Sequence, residues 1–431
     1  MTPAQPVPAG TAPRAANRFE ALDGWRGVCA CLVVLFHFHG YSPIYSWPVV
    51  RNSYLFVDFF FVLSGFVIAW NYANRLGSWP EVRRFLVLRV GRVYPLHLFM
   101  LLCFVAWEAA KLAKGLGQPS AVPTFTGENA PLAILSNLFL VQSLHVHDSL
   151  TWNGPSWSIS TEVWTYVMFA LVCIALGLRH WMLAVVAVAA PLALLYLSKT
   201  GMDITYDWGL IRCVFGFALG VACYQVQRRR SQAGHTANVA LATAIECLAV
   251  GAVVLFVSLA DTTAWSILAP FVFAFAVLVF ASEDGLVSRL FRTAPSKWLG
   301  KLSYSIYLTH FFFVMLLPIV VKRVTHLDLW TPMPLAGGQY VMAYGRNDVE
   351  GTLFYFAVVA LTIAFSAFTY RWIETPGRDW SRRLAGRPAP AQPAQSLAQA
   401  PAHSLNGPYD ATPSAPAADA KLISIPTVRR T

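Results

Sequence analysis

Ten apolar runs dominate this chain, at residues 21–40, 54–73, 85–109, 157–178, 181–198, 208–227, 239–259, 264–281, 299–321 and 352–373. Each is about 17 to 25 residues long, the length a helix needs to cross a hydrocarbon core of about 30 Å. Within such a core every backbone N–H and C=O must find its partner inside the segment, so helix is the form these runs are driven to take. Composition agrees. Only 12% of the residues are charged and 56% are hydrophobic, whereas a soluble domain carries about 25% charged residues. The expected fold class is all-α: a polytopic membrane protein of about ten transmembrane helices.

One more stretch, "PLAILSNLFLVQSL" at 131–144, is short and carries Asn137 and Gln142. It is expected as a re-entrant or interfacial segment; were it to cross, the count would be eleven. If it stays on one side, "NRLGSWPEVRR" (74–84), Arg179, Arg228–Arg230, the loop with Arg289, Arg292, Lys297 and Lys301, and "RDWSRR" (378–383) share one face. That arrangement obeys the positive-inside bias and places both termini in the cytoplasm. Lys322, Arg323 and Arg346 in loop 322–351 run against it. The net charge of +11 therefore reflects topology, and no nucleic-acid partner is expected.

The seven cysteines lie mostly inside apolar runs and form no CxxC pair, so no metal site is expected. Residues 1–20 lack the apolar core of a cleavable signal. Residues 1–17 are expected to be a flexible cytoplasmic segment, 18–384 the membrane domain, and the Pro/Ala-rich stretch 385–431 a disordered tail.

Ionisable groups inside a span are costly and mark function. In "GWRGVCACLVVLFHFHG" (24–40), Arg26 and His37 are eleven residues apart, about three helical turns, so they share a face with a rise of roughly 16 Å. Arg26 then lies near the cytoplasmic surface and His37 deep in the membrane; His39 points elsewhere and is expected at the interface. Asp58, early in the second span, and Glu162, early in the fourth, both enter from the far side. They are expected at the depth of His37, where a carboxylate would partner the ring. Arg89 and Arg92, at i and i+3, share one face of the third span near the cytoplasm. Such a pair suits phosphate, which accepts bidentate guanidinium bonds. The ninth span carries Tyr304, Tyr307 and His310. Ser64-Gly65 suits close helix approach, and Arg371 and Glu374, three apart, are expected to pair at the surface.

These residues together resemble the acyltransferase 3 family of integral membrane acyltransferases, over about residues 18 to 384. The strings that carry the resemblance are the Arg26/His37 pair, "VDFFFVLSGFVI", Arg89/Arg92 followed by "VYP", "WSISTE" ending at Glu162, "SYSIYLTH" ending at His310, and "RWIETP". The third position of "WSIS", usually Leu in this family, is Ile159.

The resemblance implies transfer of an acyl group, most often acetyl, from cytoplasmic acyl-coenzyme A to a hydroxyl of a carbohydrate or lipid-linked glycan, in a bacterial inner membrane. No permanently bound cofactor is implied; acyl-CoA is a substrate. Arg26, Arg89 and Arg92 would hold its phosphates, with His310 and Tyr307 added to the donor-binding set. His37 would act as general base, and Glu162 or Asp58 would orient its ring. A transient acyl-His37 is the rival route. A proton-coupled secondary transporter is the alternative from another class; it calls for inverted repeats, and none is legible here.

Overall fold

A computed structural model describes residues 19–113, 123–233, 238–335 and 340–386. The expectations for residues 1–17 and for most of the tail, from 387 on, lie outside the described residues. Among the described residues eight helices are long and apolar enough to cross a membrane. They include α4 (Phe56–Tyr72), α5 (Trp79–Ala113), α7 (Trp157–Leu176), α8 (His180–Leu197), α9 (Gly209–Ala233), α10 (Val239–Ala260), α13 (Ala294–Thr325) and α14 (Asp348–Thr369). Two expected spans stand apart from these eight. The first, α1 (Glu20–His37), carries Glu20, Asp23 and Arg26. The second is short: a 3₁₀ turn at Ala264–Leu268 leads into α11 (Ala269–Phe280). The segment at 131–144 holds only α6 (Pro131–Leu138). Eight residues of helix rise about 12 Å, too little to cross.

Three of the contacts between helices set the geometry of the interior. Between α1 and α13, which run parallel, Gly27 faces the Leu299–Gly300 backbone, and Gly300 faces the Asp23 carbonyl. Without side chains at these points the helices meet backbone to backbone. That register carries His37, at the end of α1, beside His310. α4 and α9, also parallel, use the same device: a Cβ on Gly65 would run into the Phe217 carbonyl, and one on Gly220 into that of Val62. Beyond α14 a π-helical turn (Tyr370–Glu374) leads into α15 (Thr375–Ala385). There Gly377 seats on Pro95 and Ser381 on Gly91 of α5.

The loop 322–351 departs from a purely helical fold. It holds a hairpin, β1 (Trp330–Pro334) and β2 (Tyr340–Tyr344), antiparallel with Trp330 opposite Tyr344. Pro332 and Pro334 break the strand pattern in the sequence because proline has no N–H for a ladder. A lone two-stranded hairpin is marginal. This one is docked: Tyr344 N donates to His39 O at 2.7 Å, and Tyr41 N donates to Tyr344 O at 2.9 Å.

Gly65→Val is expected to wedge α4 from α9 at a cost of about 1–3 kcal/mol or more. It should lower the melting midpoint in detergent. Gly251→Val, where a Cβ would meet nothing within 4 Å, should leave it unchanged.

Candidate active site

A cavity of about 710 Å³ lies among α1, α4, α5, α7, α13 and α15, on the side where α1, α5 and α13 begin and α4 and α14 end. Six basic side chains line it: Arg26, Arg89, Arg92, Lys301, Arg378 and Arg382. Three acids face them, Asp23, Glu162 and Glu374, leaving a formal excess of three positive charges.

The central arginines are positioned by packing more than by pairing. Arg89 lies over the Tyr72 ring at 4.9 Å, a cation–π contact, and its Nε has no hydrogen-bond partner among the described residues. Arg92 makes no hydrogen bond or ion pair with the described residues, while Arg26 reaches Asp23 at 3.4 Å. Guanidinium donors therefore face a space large enough for an organic ligand.

Glu162 belongs to this cavity and not to the surroundings of His37. Its Oε1 accepts from Ser64 Oγ at 2.7 Å and from the Tyr166 hydroxyl; Ser64 and Tyr166 also meet at 3.0 Å. The expectation that it sits at the depth of His37 fails for a physical reason. Residues 151–156, ahead of α7, are all buried, so the helix starts inside the protein and carries Glu162 down to the level of Ser64. The role of Ser64 is thus polar as well as spatial.

His37 has a different neighbour, the one that the parallel packing of α1 and α13 brings to it. Its ring centroid is 4.7 Å from that of His310 and 5.9 Å from Phe311. His37 Nδ1 donates to Val33 O at 2.9 Å, and His310 Nδ1 donates to Tyr307 O at 2.6 Å. Both bonds use a backbone carbonyl, which accepts only, so in each neutral ring Nε2 is the basic nitrogen. His310 is fully buried and its Nε2 has no partner among the described residues; His37 is half-buried.

Tyr307 lines the cavity. Its ring lies 6.0 Å from His310, and its hydroxyl donates to Pro155 O at 3.0 Å. It forms the wall between the arginines and the histidine pair. His39 is exposed and lies beside Tyr45.

A family model described as an acyltransferase domain matches residues 19–371. The chain belongs to this acyltransferase family. Among its relatives is "Protein 2 in picA locus" of Rhizobium radiobacter, 33% identical over 36% of this chain and 82% of that protein. "Acyltransferase MdmB" of Streptomyces mycarofaciens is 25% identical over 78% of this chain and 82% of its own. "Peptidoglycan O-acetyltransferase OatA" of Listeria monocytogenes is 23% identical over 83% of this chain but 55% of its own length. No solved structure matches.

Two further carboxylates of the acyltransferase sit where the sequence did not place them. Asp58 is bound to Arg212, not to His37: Arg212 Nε and Nη2 donate to its two oxygens at 2.9 and 2.7 Å. Two further N–H groups of Arg212 go to Ile204 O at 3.0 Å and Tyr54 O at 3.1 Å, and Trp157 covers it at 5.2 Å. The pair is sealed from solvent. A legible signal existed in the sequence. Arg212 opens a span from the far side, against the positive-inside bias.

Glu374 likewise does not pair with Arg371, which lies over Trp372. The π turn rotates Glu374 inward, where it accepts from Ser305 at 2.9 Å and meets Arg378 at 3.4 Å.

Asp58→Ala leaves a buried guanidinium without its counter-charge, expected to cost about 3–5 kcal/mol and to abolish monodisperse protein in size-exclusion chromatography. The double change Asp58→Leu with Arg212→Met removes both charges and should recover the fold. If the recovered protein transfers acyl groups, the role of Asp58 is structural; if it is inert, Asp58 serves the chemistry.

Proposed function

We propose that this membrane acyltransferase moves an acyl group, in the simplest case acetyl, from acyl-coenzyme A to a hydroxyl of an envelope or exported carbohydrate or lipid-linked glycan. One observation carries the reading. A single cavity holds Arg26, Arg89 and Arg92 around unclaimed guanidinium donors, with a histidine pair behind its Tyr307 wall. The excess positive charge suits a polyphosphate ester. The basic loops favour a cytoplasmic donor side and cytoplasmic termini, in a bacterial inner membrane. The acceptor class draws support from relatives named for O-acetyl transfer.

In the proposed step, His37 Nε2 takes the proton of the acceptor hydroxyl as its oxygen attacks the thioester carbonyl. The C–S bond breaks, and the proton passes to the departing thiolate. An ester and free coenzyme A result. The Val33 carbonyl, and not a carboxylate, orients the ring and stabilises the imidazolium. His310, 4.7 Å away, is a positioning residue for it.

Acetyl-CoA is expected to raise the melting midpoint of the purified protein. Arg89→Ala with Arg92→Ala should remove that shift. His37→Ala should keep the shift while transfer falls by about 10²–10⁴-fold, the usual share of a general base. Full transfer by a well-expressed His37→Ala protein would overturn the mechanism. Loss of one acyl mass from a defined glycan in cells lacking the gene would identify donor and acceptor together.

A further inference from the structure

A second pocket, about 350 Å³, lies on the same side as the arginine cavity but outside it. The C-terminal end of α4 divides the two: Asn71 and Tyr72 face the cavity, Ala73 and Asn74 the second pocket. Its other walls are the start of α8, with His180, and the last turns of α9, with Tyr224, Gln225, Arg228 and Arg229.

No carboxylate is among the described residues that line it. Neither arginine has an ion pair there among the described residues; both contact uncharged side-chain atoms. Arg228 Nη1 donates to Tyr224 OH at 3.4 Å, as does Asn74 Nδ2. Arg229 Nη2 reaches His180 Nε2 at 3.3 Å, and His180 Nδ1 bonds Gln225 Oε1.

The positive-inside bias accounts for these exposed arginines but not for the neutral partners that gather them around a hollow. α8 also begins here, without a side-chain cap on its first N–H groups, which adds the positive end of an 18-residue helix dipole.

We infer that this pocket binds the phosphodiester headgroup of an anionic membrane lipid. The chemistry of the pocket alone would suit any phosphate. The surface beside it selects a lipid. Trp181, Val185, Val188 and Leu192 follow His180 on α8 at four-, three- and four-residue spacing, one helix face, and all are more than half exposed. Acyl chains laid along that stripe would bring a headgroup to His180, Arg228 and Arg229 at the membrane–water boundary. Basic pockets between helices at a cytoplasmic surface bind such headgroups. The inference does not depend on the identity of the acyl donor.

The test uses the full-length protein in detergent, given phosphatidylglycerol or phosphatidylcholine of identical chains, or inorganic phosphate. Native mass spectrometry should show at least tenfold more retained phosphatidylglycerol than phosphatidylcholine. Phosphatidylglycerol should raise the melting midpoint, and inorganic phosphate should not. Arg228→Gln with Arg229→Gln should lose the preference. Gln225→Glu, which leaves both arginines and adds a repelling carboxylate, should lose it too and guards against misfolding of the double variant. Equal retention of the two lipids, or variants that keep the preference, would overturn the inference. Stabilisation by inorganic phosphate as strong as by lipid would overturn the lipid assignment in favour of a soluble phosphate ligand.

Discussion

α1 and α13 meet backbone to backbone because Gly27 and Gly300 leave no side chain between them. Everything that gives this interior its chemistry depends on that approach. Parallel helices in fixed register place residues of like depth together, so the histidine ending α1 meets the one inside α13. The same register brings Arg26 and Lys301 to one cavity wall. Bulkier residues at the contact would separate both pairs at once, since a packed interface transmits displacement along its whole length.

The buried charges fall into two physical classes. Removing an ion from water costs several kcal/mol even after relaxation, and only well-aligned partners offset it. Asp58 and Arg212 have such partners: two bonds between them and two from Arg212 to backbone carbonyls. Four of the five guanidinium N–H groups are thereby used within the protein. Arg89 and Arg92 lack matching carboxylates, and the acids nearby are already committed. Glu162 takes Ser64 and Tyr166, and Glu374 takes Ser305 and Arg378. The electrostatic complement of that cavity is an anion.

The spans were legible because hydrocarbon imposes a length and forbids unpaired backbone, and every apolar run became helix within a few residues. The shared face of Arg89 and Arg92 was legible too, since i, i+3 spacing fixes a face whatever surrounds it. Partnerships across helices were less so. In a sequence, depth along a span is legible only from where the span meets the membrane surface. That rule placed Glu162 wrongly because α7 starts inside the protein, behind buried residues 151–156. Depth alone favours a histidine ring for Asp58, yet a guanidinium on a helix more than a hundred residues away binds it. The hairpin was hidden by prolines that suit an edge but not a strand pattern.

The pairing of α1 with α13 also bears on how the protein is made. The two histidines are about 270 residues apart, and a ribosome adds about 5–20 residues per second. Roughly 15–55 s therefore separate the synthesis of the first from that of the second. Through that interval α1 is in or near the bilayer with Glu20, Asp23 and Arg26 at one end and none of its permanent neighbours from α13. The nascent chain has to tolerate, or be chaperoned through, a period in which a helix with three charged residues lacks its main partner. Insertion of a late helix is what ends it.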